Sequence, residues 1–128
     1  MARAPYYILV CGGRAFKDYD FLAETLHDCL MTVRDHFPEQ RMVIVQGDGR
    51  GADKLAGQWA NTFNVPCFKI PAVWDLWDKG AGFMRNAQML EWVPVDRVIA
   101  FAGGPGTADM CKRATAKCIP VTHAQQDF

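Results

Sequence analysis

A chain of 128 residues, 50% hydrophobic and 22% charged, suffices for one globular domain that buries roughly two thirds of its unfolded surface. Lys and Arg number 14 and Asp and Glu number 14, so no net field favours non-specific binding to nucleic acid or a membrane surface. Any recognition of an anion must then come from local groups.

In chain order, apolar runs alternate with segments of helical spacing. Tyr6 to Cys11 reads as a first strand, buried on both faces because its apolar residues do not alternate with polar ones. Gly12-Gly13-Arg14 follows. Asp18 or Asp20 caps a long helix to about Phe37, whose Phe21, Leu22, Leu26, Cys29, Leu30 and Val33 recur at helical intervals, and Pro38 ends it. Met42 to Gln46 is the second strand, followed by the cluster Gly47-Asp48-Gly49-Arg50-Gly51-Ala52-Asp53 and a helix from about Ala52 to Phe63. Val65 to Ile70 gives a short third strand. A polar-aromatic loop from Pro71 to Gly80, holding Trp74, Trp77 and Lys79, leads to a helix from about Ala81 to Trp92. Arg97 to Ala102 is the fourth strand, and Gly103-Gly104-Pro105-Gly106-Thr107 turns into a helix from Thr107 to Lys117, with Thr107 as its cap. Cys118 to Thr122 is the fifth strand, and the polar tail beyond it is expected to be loosely held.

Such alternation predicts an α/β fold, a Rossmann-like three-layer αβα sandwich with a mainly parallel sheet of about five strands. In these folds ligands sit beyond the carboxyl ends of the strands, where strand order reverses. Three glycine clusters each follow a strand directly, so all three are expected on that one edge. Glycines allow close backbone approach, and the start of a helix offers unpaired N–H groups and a positive dipole end to a phosphate. A glycine turn can also link strand to helix with no ligand at all.

Candidate side chains gather at the same edge. Arg14, Arg50 and Arg85 can bind phosphate bidentately, or pair with Asp48, Asp53 or Asp109. Asp53 starts a helix, where it caps the end or meets a ribose hydroxyl. Asp109 is read as facing a sugar, a water or Arg85. Trp74 can stack on a base or roof the core, and Lys79 joins the cradle or merely enters a helix. The cysteines Cys11, Cys29, Cys67, Cys111 and Cys118 form no CxxC pair, so a reduced, cytoplasmic protein without disulfides is expected, Cys11 and Cys111 serving as small apolar fillers. His27, His36 and His123 lack ligand spacing, so no metal is expected. Neither a signal-peptide core nor a run near the roughly 20 residues of a membrane span is present in the sequence.

The same residues carry a family resemblance. Gly12-Gly13-Arg14, the Gly47 to Asp53 cluster, Trp74, the run Lys79-Gly80-Ala81-Gly82 with Arg85, Asn86 and Met89, and the run from Ala100 to Met110 occur in order. Together they resemble the YspA-type, cpYpsA-related branch of the SLOG superfamily over about residues 6–122. The resemblance implies a Rossmann-like fold, kinship with the Lonely-Guy phosphoribohydrolases and the DprA DNA-processing proteins, frequent carriage by phages or prophages, and common homodimers or higher homo-oligomers. It also implies a nucleotide or nucleotide-derived ligand at Gly12, Gly13, Arg14, Gly47, Arg50, Gly51, Asp53, Trp74, Lys79, Arg85, Asn86, Gly103, Gly104, Gly106 and Thr107. Lonely-Guy enzymes place a catalytic Glu where this chain holds Met110, so an N-glycosidase reading has to rely on Arg85 and Asp109. Sensing or sequestration of a nucleotide is the leading expectation, with the hydrolase and a DprA-like DNA- or protein-binding module as alternatives.

Overall fold

The computed structural model describes residues 3–71 and 81–125. Strands β1 (Ala4–Cys11), β2 (Gln40–Gln46), β3 (Cys67–Lys69), β4 (Arg97–Ala100) and β5 (Val121–His123) alternate with helices α1 (Tyr19–His36), α2 (Ala52–Thr62), α3 (Ala81–Trp92) and α4 (Pro105–Ala116). The five strands form one sheet in the order β3-β2-β1-β4-β5, every neighbouring pair parallel. Chain order reverses beside β1. Ile8 on that strand stands opposite both Ile44 of β2 and Arg97 of β4.

Successive side chains of a strand point to opposite faces, and in β1 both faces are covered. Ile8 and Val10 join Met42, Ile44, Ile99 and Phe101 in a layer with Leu22, Leu26 and Val33 of α1 and Ala52, Ala56, Trp59 and Ala60 of α2. Leu9 and Cys11 join Val45, Val98 and Ala100 on the other face, under Met89 and Leu90 of α3 and Met110 and Ala114 of α4. That is why these strands read as unbroken apolar runs. Full burial of such a side chain contributes about 1.5–3 kcal/mol, so the two layers supply most of what holds the sheet.

Asp18, not Asp20, caps α1: its carboxylate accepts the Phe21 amide at 3.0 Å. Asp20 sits inside the first turn, where its charge is favoured by the helix dipole. Replacing Asp18 by alanine is expected to cost about 1 kcal/mol in urea unfolding. Asp20→Ala should cost less.

Several element ends differ from the sequence expectation: β1 and β2 each begin two residues earlier, at Ala4 and Gln40, and three other ends have a local reason. β3 begins at Cys67 because Asn64 turns left-handed (φ 57°) and the Val65 amide returns to the Ala60 carbonyl at 2.8 Å, closing α2. β5 begins at Val121 because Cys118 turns left-handed (φ 61°) and the Ile119 amide bonds the Ala114 carbonyl at 2.9 Å. β4 ends at Ala100, although the Phe101 amide still donates to Cys11 O at 2.9 Å and Ala102 O accepts from Gly13 at 2.8 Å. The expected cap is also corrected. α4 starts at Pro105 with Gly104 as N-cap, and Thr107 lies within the first turn. Proline fits that first position because its φ is preset and its missing N–H would have been unpaired there anyway.

Candidate functional site

The reversal of strand order opens a crevice between the ends of β1 and β4, the place where open α/β sheets hold ligands. A cleft of about 740 Å³ lies there, within the usual range for small-molecule sites of roughly 300–1,000 Å³. All three glycine clusters border it. Gly12, Gly13 and Arg14 come from the turn after β1, Gly47, Asp48, Gly49, Arg50 and Asp53 from the turn after β2, and Gly104, Pro105, Gly106 and Thr107 from the start of α4. α3 supplies Gly82, Phe83, Arg85, Asn86 and Met89, while Leu9, Val10, Cys11 and Met110 complete the lining with Pro71. Gly51 and Gly103 are not among the lining residues; both pack against the backbone of Gly13, which is. Trp74 and Lys79 lie outside the described residues.

The turn after β2 is held from below. Gln46, 1% exposed, accepts the Asp48 amide on its side-chain oxygen at 2.5 Å, and Asp48 adopts φ 59°. Lys54 pairs with the Asp48 carboxylate at 2.8 Å, which holds that carboxyl below its usual value. Gly51 has φ 81°, and a Cβ there would fall on the Gly13 carbonyl, so the first two turns can meet only through glycine. Asp53 is the buried carboxylate of the cleft, 7% exposed, and it accepts the Gly49 amide at 3.1 Å. Stapling this turn is therefore part of its role.

Burial pushes the Asp53 carboxyl above its ordinary 3.8, against the opposing pull of the Gly49 and Gly47 amides and the Arg85 charge. The neutral form is thus favoured by folding. Its contribution to stability is complete below 3.8 and is lost as pH rises through the raised folded value. Asp53→Asn does not titrate. The unfolding free energy of the protein minus that of this variant is expected to fall with rising pH across that window, as read by urea unfolding at a series of pH values.

Arg85 holds the turn after β2 and is itself held by its neighbour on α3. Its Nη1 donates to Gly47 O at 2.8 Å and its Nε to Asn86 Oδ1 at 3.2 Å. A Cβ on Gly47 would land on the guanidinium, so a larger residue there would displace Arg85 from this position. Asn86, 4% exposed, donates from Nδ2 to Gly106 O and to Asp109 Oδ2, both at 3.0 Å. Its amide is thereby spent on fixing Arg85 and the α4 turn in place. Asp109 Oδ2 also accepts Arg113 Nε at 2.8 Å, one helical turn on, so Arg113 takes the part expected of Arg85. Asp109 is not among the described cleft-lining residues, whose carboxylates are those of Asp48 and Asp53. Met110 is buried at 1% exposure in the layer that holds Leu9 and Cys11. Arg14 and Arg50 stand exposed at the rim.

Several lining residues were not among the expected site residues, Asp48, Gly82 and Phe83 among them. Phe83, 41% exposed, presents an aromatic side chain to the cleft beside Arg85. Its spacing of three from Asn86 and six from Met89, all on one helical face, was the available signal. Among the described residues, no group of three or more His, Cys, Asp or Glu is arranged to hold a metal ion, and no helix is long and apolar enough to cross a membrane.

The sequence profile of the YspA, cpYpsA-related SLOG family matches residues 6–77, from β1 through the first two glycine clusters. The chain belongs to that family. Gene 61 protein of Mycobacterium phage D29 is 33% identical over 121 residues, covering 89% of this chain and 92% of the phage protein. A phage relative accords with the association that the motifs implied. The crystal structure of a UDP-N-acetylglucosamine 2-epimerase superposes with a TM-score of 0.61 at 14% identity, over 99% of this chain. This SLOG chain spans 33% of the epimerase chain, and the likeness is one of fold. Family membership and the Rossmann-like arrangement together fit a nucleotide-related binding role.

Proposed function

We propose that this SLOG protein binds a nucleotide or nucleotide-derived ligand in the cleft, for sensing or sequestration. A phosphate lies on the Gly103–Thr107 turn at the start of α4, where amides and dipole favour an anion. Arg85 assists from α3 and Arg14 from the rim. Asp53 or Asp48 meets the sugar, and Phe83 offers a face for a base.

A single observation carries the reading. A Cβ on Gly12, Gly51 or Gly103 would strike a fixed protein atom, and one on Gly13 would crowd the backbone of Ala102 and Gly103. Gly104 and Gly106 differ: among the described residues, no heavy atom stands within 4 Å of where their Cβ atoms would be. Yet both border the cleft. Packing does not explain these two glycines, whereas a ligand drawn close to the backbone does.

Gly106→Ala is therefore the discriminating substitution. Inside a helix, Gly to Ala gains up to about 1 kcal/mol of stability, so the melting temperature should hold or rise. Affinity for the best ligand of a panel of nucleoside mono- and diphosphates, ADP-ribose and cyclic nucleotides should fall, as measured by calorimetry. Undiminished affinity would remove the α4 turn from the site.

Hydrolysis of an N-glycosidic bond is the weaker reading, because that chemistry uses a carboxylate beside a developing positive charge. Met110 occupies the expected position, and the Asp109 carboxylate is engaged by Asn86 and Arg113. A DprA-like polymer site is disfavoured by the zero net charge, and steep salt dependence of oligonucleotide binding would be its mark.

A further inference from the structure

A chain of side-chain hydrogen bonds runs from the cleft to the outside of α4. It begins at Arg85, which lines the cleft from α3. Arg85 Nε donates to Asn86 Oδ1 at 3.2 Å, and Asn86 Nδ2 donates across to α4, to Gly106 O and Asp109 Oδ2, both at 3.0 Å. The same Oδ2 accepts Arg113 Nε at 2.8 Å, so one oxygen of Asp109 receives both donors. Asn86 is 4% exposed, which leaves water little access to take the place of any partner. Asp109 is not among the described cleft-lining residues, so an effect of its carboxylate on the cleft passes through Asn86.

We propose that Asp109 is a positioning residue for the cleft: acting through Asn86, it fixes the orientation in which Arg85 is presented. A side-chain amide carries an acceptor on one side and donors on the other. With Nδ2 toward Asp109 and Gly106, Oδ1 is left to the Arg85 N–H, and every contact is complementary. Turned over, Oδ1 would face a carboxylate and a carbonyl, and Nδ2 would face the Arg85 donor. Each contact would then be mismatched, which is costly for a buried polar group. Asp109 contributes most to this choice, because a charged acceptor makes the stronger hydrogen bond. Arg113 in turn holds that carboxylate from one helical turn further on. Without Asp109, only the Gly106 carbonyl would select the orientation of Nδ2. The benefit for binding rests on the reading of the cleft as a nucleotide site: an arginine fork set beforehand has less freedom to lose when an anion arrives. The orientation itself does not depend on that reading.

The test compares Asp109→Ala with Asp109→Asn in the full chain. Asparagine can place its own Oδ1 where Asp109 Oδ2 lies and accept both Asn86 and Arg113, whereas alanine offers no acceptor. The Asp109 side chain keeps 19% exposure and alanine favours a helix, so α4 should tolerate either change, as a thermal melt would show. The readout is the Arg85 Nε–H signal in nitrogen–proton correlation spectra without nucleotide, identified by its loss in Arg85→Lys. Its hydrogen exchange is expected to quicken about five- to tenfold in Asp109→Ala, as for the loss of one hydrogen bond, and to stay slow in Asp109→Asn. Equal exchange in all three proteins, or the same quickening in both variants, would overturn the proposal. Inorganic phosphate is then the probe of use. The signal should shift with phosphate in the parent protein and in Asp109→Asn, and Asp109→Ala should need about five- to tenfold more. Equal phosphate dependence in the three would overturn the positioning role. No shift in any of them, with the exchange difference intact, would count against anion binding by the cleft and leave the orienting role of Asp109 standing.

Discussion

Replacing Trp59 with alanine is expected to lower the unfolding free energy by about 3–5 kcal/mol, the largest single effect anticipated in this chain. Trp59 is 0% exposed and is the largest fully buried side chain among the described residues. It fills the layer between α2 and the sheet among small neighbours, Ala56 and Ala60, which cannot expand into the space it would leave. Its ring also lies 5.3 Å from that of His27 and 5.7 Å from that of Phe63, so it ties α1 to the end of α2. For a domain held together by about 5–15 kcal/mol, such a loss approaches unfolding.

The chemistry of the indole sharpens this expectation. Trp59 Nε1 has no hydrogen-bond partner among the described residues. A buried donor left unpaired costs roughly 1–3 kcal/mol, so the residue stabilises through volume and contact alone. Trp59→Phe gives up some volume but also removes the unpaired donor. It should therefore cost much less than Trp59→Ala, and the two variants compared in urea separate packing from polarity. Equal losses would contradict that division.

Arg85→Ala is expected to weaken binding of a phosphorylated ligand by about 10- to 100-fold, the range corresponding to a lost hydrogen bond to a charged group of roughly 1.5–3 kcal/mol. The fold should tolerate the change, because Arg85 is only half-buried and the Gly47 carbonyl can turn to water. Its geometry sets the size of the effect. Nη1 and Nε are fixed by Gly47 and Asn86, so the guanidinium is held in place before any ligand arrives. Arg85→Lys should not restore affinity, since a point charge on a flexible stem cannot reproduce that planar fork. Calorimetry with the ligand, set beside a thermal melt of each variant, distinguishes a lost contact from a damaged fold. Unchanged affinity would mean that Arg85 only braces the turn after β2.

Much of this architecture was legible before any coordinates. β1, β2 and β4 announce themselves because burial on both faces leaves no room for polar residues. The convergence of the glycine clusters followed from their position after strands, because parallel strands present their carboxyl ends to one edge. Element ends were less legible. The left-handed turns at Asn64 and Cys118 are not required by those residue types and come from closing the preceding helices. Thr107 looked like a cap, yet Pro105 begins the helix two residues earlier.

Within the site, residue types could be listed from sequence but their partners could not. Asn86 could be named as a cleft residue from sequence, but that its amide joins Arg85, Gly106 and Asp109 could not be read there. That network links α3 to α4 and depends on how the two helices pack, which no spacing reports. The Asp109–Arg113 pair is different. Its separation of four on a helix was readable in the sequence and favours an ion pair over a free carboxylate.

The most direct test of a nucleotide-binding cleft begins with the purified protein and the nucleotide panel. After incubation, ultrafiltration and chromatography report the bound and free pools together. An intact nucleotide retained with the protein, and lost from it in Gly106→Ala and Arg85→Ala, is the predicted result. Absence of any retained nucleotide, or conversion of one into free base and ribose phosphate, would contradict it.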